Sequence, residues 1–347
     1  MRVLTHWSAN LSGRARGRLD LHRTSLRSRT YATAAFNAPT VEHEVVTVTT
    51  DDGARLRVHA YGPADAPVIV LVHGWTCAIE YWNAQINAFA GPYRVVAYDQ
   101  RGHGESDYGT VPLSMDLLAD DLNTVLDATV PTGEKAVLVG HSLGGMTLQA
   151  WAGRFPEQVP ARAHAVLLTN TASGALVAET TVLPLFNRLL PRGLRIALPA
   201  WLGRRGLGTP VLLPPLLPIR WIFTRQIMHT NATRELVDYS MAVVRSCPAR
   251  VRAAFGLLLA EMDLGDAARH LVVPTTVIAG SADFMTPPIH AERIAATLTE
   301  IDSLVRHEVL ETGHLGNVEA HERFNEELAT LLDVVADARR QVDAAVG

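Results

Sequence analysis

A chain of 347 residues with only two cysteines, Cys77 and Cys247, and one lysine, Lys135, is short of two residue types that usually advertise function. Two cysteines are too few for a disulfide framework, and neither stands in a CxxC or Cys/His spacing that would suggest zinc. A reducing compartment follows as the default, and a cytoplasmic location is the expectation. A strong charge of one sign is also missing: the formal net charge is −4, which gives no global field to recruit nucleic acid. Residues 1–40 hold no apolar run long enough for a secretory signal or a membrane span. No repeat period or low-complexity tract stands out.

Hydrophobic residues make up 48% of the chain, enough to bury a large core. The N-terminal stretch carries Arg2, Arg14, Arg16, Arg18, Arg23, Arg27 and Arg29 against the single acid Asp20. Its composition predicts a flexible Arg-rich arm over residues 1–40, and an organelle address shares the same bias. Order is expected from about residue 44, where VVTVTT, the turn Asp51-Asp52-Gly53 and RLRVHAYG read as an antiparallel hairpin. Valine-rich runs follow at 67–74, 93–100, 135–142, 164–171 and 274–281, unbroken as in strands buried on both faces of a parallel sheet. Helical patterns lie between them at about 78–89, 115–128 and 144–155, with later ones at 287–299 and 317–338. This alternation predicts an α/β fold, a mostly parallel central sheet with helices on both faces. It breaks once, so the expected core is 41–173 and 247–347 with an inserted helical cap over 174–246. From Thr181 to Arg234 the cap has no Asp or Glu, while Arg188, Arg192, Arg195, Arg204, Arg205, Arg220, Arg225 and Arg234 punctuate Leu, Pro, Trp and Ile. Such a segment either covers apolar surface with arginine stems or makes weak contact with an anionic membrane surface.

The chemistry concentrates in Gly140-His141-Ser142-Leu143-Gly144, set between the strand KAVLVG and the helix MTLQAWAGRF. A serine hydroxyl is a poor nucleophile near neutral pH, so it needs an exposed strand-end turn, a base and oxyanion donors. Ser142 is therefore the candidate nucleophile. The acid and base must come from loops after later strands. Asp283 ends the strand TTVIAG, and His314 follows the strand-like HEVLE, which nominates them as orienting acid and general base. Asp263 and Asp266 compete by type but fall in a helical stretch before the strand, and after LLTN the position offers Asn170 and no carboxylate. His73, His141 and His321 read as structural. The backbone N–H groups of Leu143 and Trp75 are the candidate oxyanion donors. Neither a metal nor an organic cofactor is implied, and the expected partner is a small-molecule substrate.

Taken together, His73-Gly74-Trp75, YDQRGHGES (98–106), GHSLGG (140–145), GSADFMTPP (280–288) and GHLGNVE (313–319) resemble the α/β-hydrolase superfamily in its serine branch. The resemblance covers about residues 44–338 and implies the α/β-hydrolase fold, with the family's catalytic roles carried onto Ser142, Asp283 and His314. Ser142 stands where dehalogenases and epoxide hydrolases of that fold use aspartate, which favours acyl transfer. Thr76 replaces the proline common in HGWP perhydrolases. The resulting expectation is a carboxylic-ester hydrolase acting on a small to medium, largely apolar substrate. Lactone opening and carbon–carbon bond hydrolysis use the same groups, and a ligand-binding protein on this scaffold is the reading from another class.

Overall fold

A computed structural model of the chain describes residues 13–180 and 217–346. Eight strands form one sheet: β1 His43–Thr49, β2 Arg55–Tyr61, β3 Val68–Val72, β4 Arg94–Tyr98, β5 Ala136–His141, β6 Ala163–Thr169, β7 Thr275–Gly280 and β8 Leu304–Leu310. Their spatial order is β1-β2-β4-β3-β5-β6-β7-β8. β1 and β2 make the antiparallel hairpin, turned at Gly53 with φ 80°, and β2 runs antiparallel to β4. From β4 to β8 every pairing is parallel. The valine-rich runs explain why: β3 and β5 are buried at every position, as strands covered on both faces must be.

Helices α2 Asn83–Phe89, α3 Met115–Thr129, α4 Leu143–Arg154, α5 Gln158–Arg162, α10 Pro288–Glu300, α11 Gly316–Glu319 and α12 His321–Val346 surround the sheet. Two apolar clusters result, one on each face: Ile69, Leu71, Val137, Val139 and Leu167 pack with α2 and α12, while Val70, Val72, Leu138, Val166 and Leu168 pack with α3, α4 and α10. Between β6 and β7 the described residues hold α6 Leu176–Glu179, α7 Leu217–Ile227, α8 Arg234–Val244 and α9 Ala249–Glu261. The cap arginines Arg188, Arg192, Arg195, Arg204 and Arg205 lie outside the described residues.

Residues 13–40 correct the expectation of a flexible arm. Gly13–Ser28 is helix α1, and Leu26, Tyr31 and Phe36 are buried. His22 bonds the carbonyl of Ala242 at 2.8 Å, Arg23 donates to that of Ser246, and Arg27 pairs with Glu105 at 2.7 Å. Phe36 stacks on Tyr239 with ring centroids 4.8 Å apart. Overall composition cannot register so few anchors. Asp263 and Asp266 also differ from expectation, since α9 ends at Glu261 and both lie in the turns that follow it.

Candidate active site

Ser142 occupies a backbone conformation, φ 52° and ψ −117°, that residues with a side chain seldom adopt. It sits on the turn from β5 into α4. The turn is held from both sides: the Ser142 N–H donates to the Thr169 carbonyl at 3.0 Å, and its own carbonyl accepts from the Thr171 hydroxyl at 2.7 Å. Gly144 permits the close approach of α4 to β3, because a Cβ there would lie 2.0 Å from the carbonyl oxygen of Val72. Sharpness is thus built into the sequence, and it leaves the hydroxyl at the C-terminal end of the sheet.

The loops after β7 and β8 bring two further groups to that point. His314 Nε2 lies 2.9 Å from Ser142 Oγ, and its Nδ1 lies 2.8 Å from Asp283 Oδ2. Asp283 is buried and fully occupied. Oδ1 accepts from the amides of Met285 and Thr286 at 2.8 and 2.9 Å, and Oδ2 also accepts from the Thr286 hydroxyl at 2.7 Å and the Asn170 amide at 3.0 Å. Burial works to raise its pKa, but the His314 ring and these donors hold the carboxyl below the usual carboxylate range. With an ionised acceptor on Nδ1, that nitrogen carries the proton, and the lone pair of Nε2 faces Ser142.

The His314 loop is fixed by several partners, among them the Asn170 amide, which donates to the Gly313 carbonyl at 3.1 Å. The His314 N–H donates to the carbonyl of Ile227 at 2.7 Å, where α7 ends. His141, one residue before the serine, bonds the His314 carbonyl through Nε2 at 2.8 Å. The half-buried Glu319 accepts from the amides of Gly313 and Leu315 at 3.2 and 3.1 Å and from His229 N–H at 2.7 Å. Gly313 leaves room for this crowding, since a Cβ would meet the Ile227 carbonyl oxygen at 2.6 Å.

Leu143 is the first residue of α4, so its N–H has no carbonyl to meet within the helix. The Trp75 amide lies in the loop after β3, where the peptides on either side of that residue are gripped by neutral histidines. His73 Nδ1–H donates to the Gly74 carbonyl at 2.7 Å while Nε2 accepts from the Gln100 amide at 3.0 Å. His103 Nδ1–H donates to the Arg101 carbonyl at 3.2 Å while Nε2 accepts from the Thr76 amide at 3.1 Å. Burial depresses their pKa to about 4 and about 3, so neither carries charge near neutral pH. Thr76 has φ 68°, which a proline ring cannot reach, so the departure from HGWP is structural as well as chemical. The Trp75 indole donates to the Arg252 carbonyl of α9 at 3.0 Å. Around it, Leu143, Met146, Val251, Phe255 and Met262 form an apolar cluster where the Ser142 turn meets α9.

The residues nominated from sequence are therefore adjacent, while Asp263 and Asp266 bond elsewhere and His321 stacks against Phe36. Sequence reasoning missed His103, Asn170 and Glu319 as supports. Only Asn170 left a signal, as the polar residue just after β6 where an acid was sought. Among the described residues no three His, Cys, Asp or Glu side chains gather as metal ligands would.

The model of the alpha/beta hydrolase family matches residues 69–327. The chain belongs to the α/β-hydrolase family. As a member it is a hydrolase of that fold, and its relatives agree. It is 29% identical to 3-oxoadipate enol-lactonase 2 of Acinetobacter baylyi over 82% of this chain and 95% of the relative. It is 41% identical to the bifunctional esterase/perhydrolase of Acinetobacter calcoaceticus, over 33% of this chain and 42% of that protein. In solved structures, a thermophilic esterase from Thermogutta terrifontis matches with a TM-score of 0.66 and 25% identity, over 85% of this chain and 99% of its own.

Proposed function

We propose that this α/β-hydrolase cleaves a carboxylic ester of small to medium size and largely apolar character through an acyl-enzyme on Ser142. The carrying observation is the continuous relay Asp283–His314–Ser142, with contacts of 2.8 and 2.9 Å. His314 Nε2 takes the Ser142 proton as Oγ bonds to the acyl carbon, and the carbonyl electron pair moves onto oxygen. The amides of Leu143 and Trp75 face that developing oxyanion. Collapse breaks the acyl C–O bond, and His314 returns the proton to the leaving alcohol. Water then repeats the sequence, releasing the acid and restoring the hydroxyl. Asp283 fixes the ring tautomer and stabilises the imidazolium. The apolar cluster of Trp75, Met146 and Phe255 suits an apolar acyl or alcohol group. A fluorophosphonate should label the protein but not Ser142→Ala, and short p-nitrophenyl esters should be hydrolysed. Failure of both would reject the reading.

A second reading, lactone opening, breaks the same kind of bond within a ring, and the enol-lactonase relative favours it. Relative kcat/KM across esters, thioesters, lactones and diketone-like substrates separates it from the first and from carbon–carbon cleavage. Saturable binding without turnover over that panel would instead favour the ligand-binding class.

A further inference from the structure

Between α1 and α8 lies a cleft of about 180 Å³ whose lining includes His22, Arg29, Arg220 and Arg245 with one acid, Asp238. Arg220 pairs with Asp238, and Arg29 reaches the same carboxylate at 3.9 Å. Arg245 enters no ion pair among the described residues. Of the three guanidinium groups lining the cleft, Arg220 and Arg29 share the one carboxylate, which Arg234 also reaches at 3.9 Å, and Arg245 has no acid of its own. His22 adds no charge, because burial and the nearby Arg245 and Arg23 lower its pKa while its ring bonds Ala242. The surplus positive charge would be neutralised by an anion seated among these groups.

Helix α7, which contributes Arg220, is apolar on both sides. Ile219, Phe223 and Ile227 face inward onto the core. On the other side Leu217 is 81% exposed, Trp221 58% and Ile222 49%. At 100° per residue, Arg220 falls between the two faces, and Arg225 lies over the Trp221 ring at 5.9 Å. A single exposed apolar residue is ordinary, but a helix flank of Leu, Trp and Ile interleaved with arginine and free of acids is not. On α1, Leu21, next to His22 of the cleft, is also 72% exposed. An arginine-rich cleft beside exposed tryptophan and leucine matches the chemistry of a bilayer interface, with phosphate oxygens above and acyl chains below.

We infer that this face docks on an anionic phospholipid surface, the cleft receiving a lipid phosphate while Leu217 and Trp221 enter the boundary between headgroups and acyl chains. The inference is independent of which bond the hydrolase cleaves. It is tested by sedimenting the full chain with vesicles of phosphatidylcholine, alone or mixed with phosphatidylglycerol. Binding should require phosphatidylglycerol and weaken with salt. Arg245→Gln should weaken it about fivefold, the effect of one juxtamembrane positive charge. Trp221→Ser should weaken it too, and Arg55→Gln, which does not line the cleft and pairs with Asp107, should not. The urea midpoint of each variant reports that the fold is intact. Equal binding to both vesicle types, no binding, or indifference to Arg245→Gln and Trp221→Ser would overturn the inference. So would saturation of the cleft by inorganic phosphate without vesicle binding, which would leave an anion site for a free ligand.

Discussion

His73 and His103 hold the peptides on either side of Trp75, one through the Gly74 carbonyl and the other through the Thr76 amide. A backbone N–H cannot be removed by mutation, so its aim must be tested through what fixes it. Replacing His103 with leucine removes the acceptor for the Thr76 amide. We expect kcat on a p-nitrophenyl ester to fall about tenfold, ~1.4 kcal/mol of barrier, with KM nearly constant. His103→Gln, which can still accept, should recover most of it. A parallel rise in KM, or no rescue, would assign His103 to folding alone. Asn170→Ala leaves Asp283 with one donor fewer, and a similar loss of kcat is expected from a less firmly held His314. Ser142, Asp283 and His314 were legible because the chemistry demands their types at strand ends. His103 and Glu319 were not, since their partners are backbone amides that leave no trace in side-chain identity.

The loop between β4 and α3 is shaped by ion pairs in the interior. Arg101 makes a two-pronged contact with Asp121, both distances 2.6 Å, and reaches Asp52 at 3.2 Å. Arg57 meets Glu80 at 2.9 Å and Asp99 at 3.1 Å. Truncating Asp121 leaves the buried Arg101 charge with Asp52 alone, so Asp121→Ala should lower unfolding free energy by ~3 kcal/mol in a urea titration. The exposed pair Arg55–Asp107 is the contrast, and Arg55→Ala should change it by less than about 1 kcal/mol. Comparable losses would mean that burial does not set the energetics here. At this scale the parallel strands were legible from their valine runs. Helix α1 was not, because it is held by a few anchors such as His22, Arg23 and Leu26 amid exposed arginines.

Across the whole molecule, acid should act through buried histidines. His73, His103 and His141 have pKa values of about 4, about 3 and about 3 in the folded chain, against an ordinary 6.5. Burial is the main cause in each. Below pH 6.5 the unfolded chain takes up protons that the folded chain refuses, so their stabilisation is complete above that pH and is lost as pH falls towards 4 and 3. The urea midpoint should decline over this window, less steeply in His103→Gln, and an unchanged slope would contradict the assignment. A last consequence follows from the bond between the His314 N–H and the Ile227 carbonyl. The insertion proposed to cover the substrate also steadies the group proposed to move the proton. Grafting a foreign insertion to change selectivity would therefore unsettle the base unless the junction at Ile227 and Met228 is preserved, so recognition and turnover in this chain would have to evolve together.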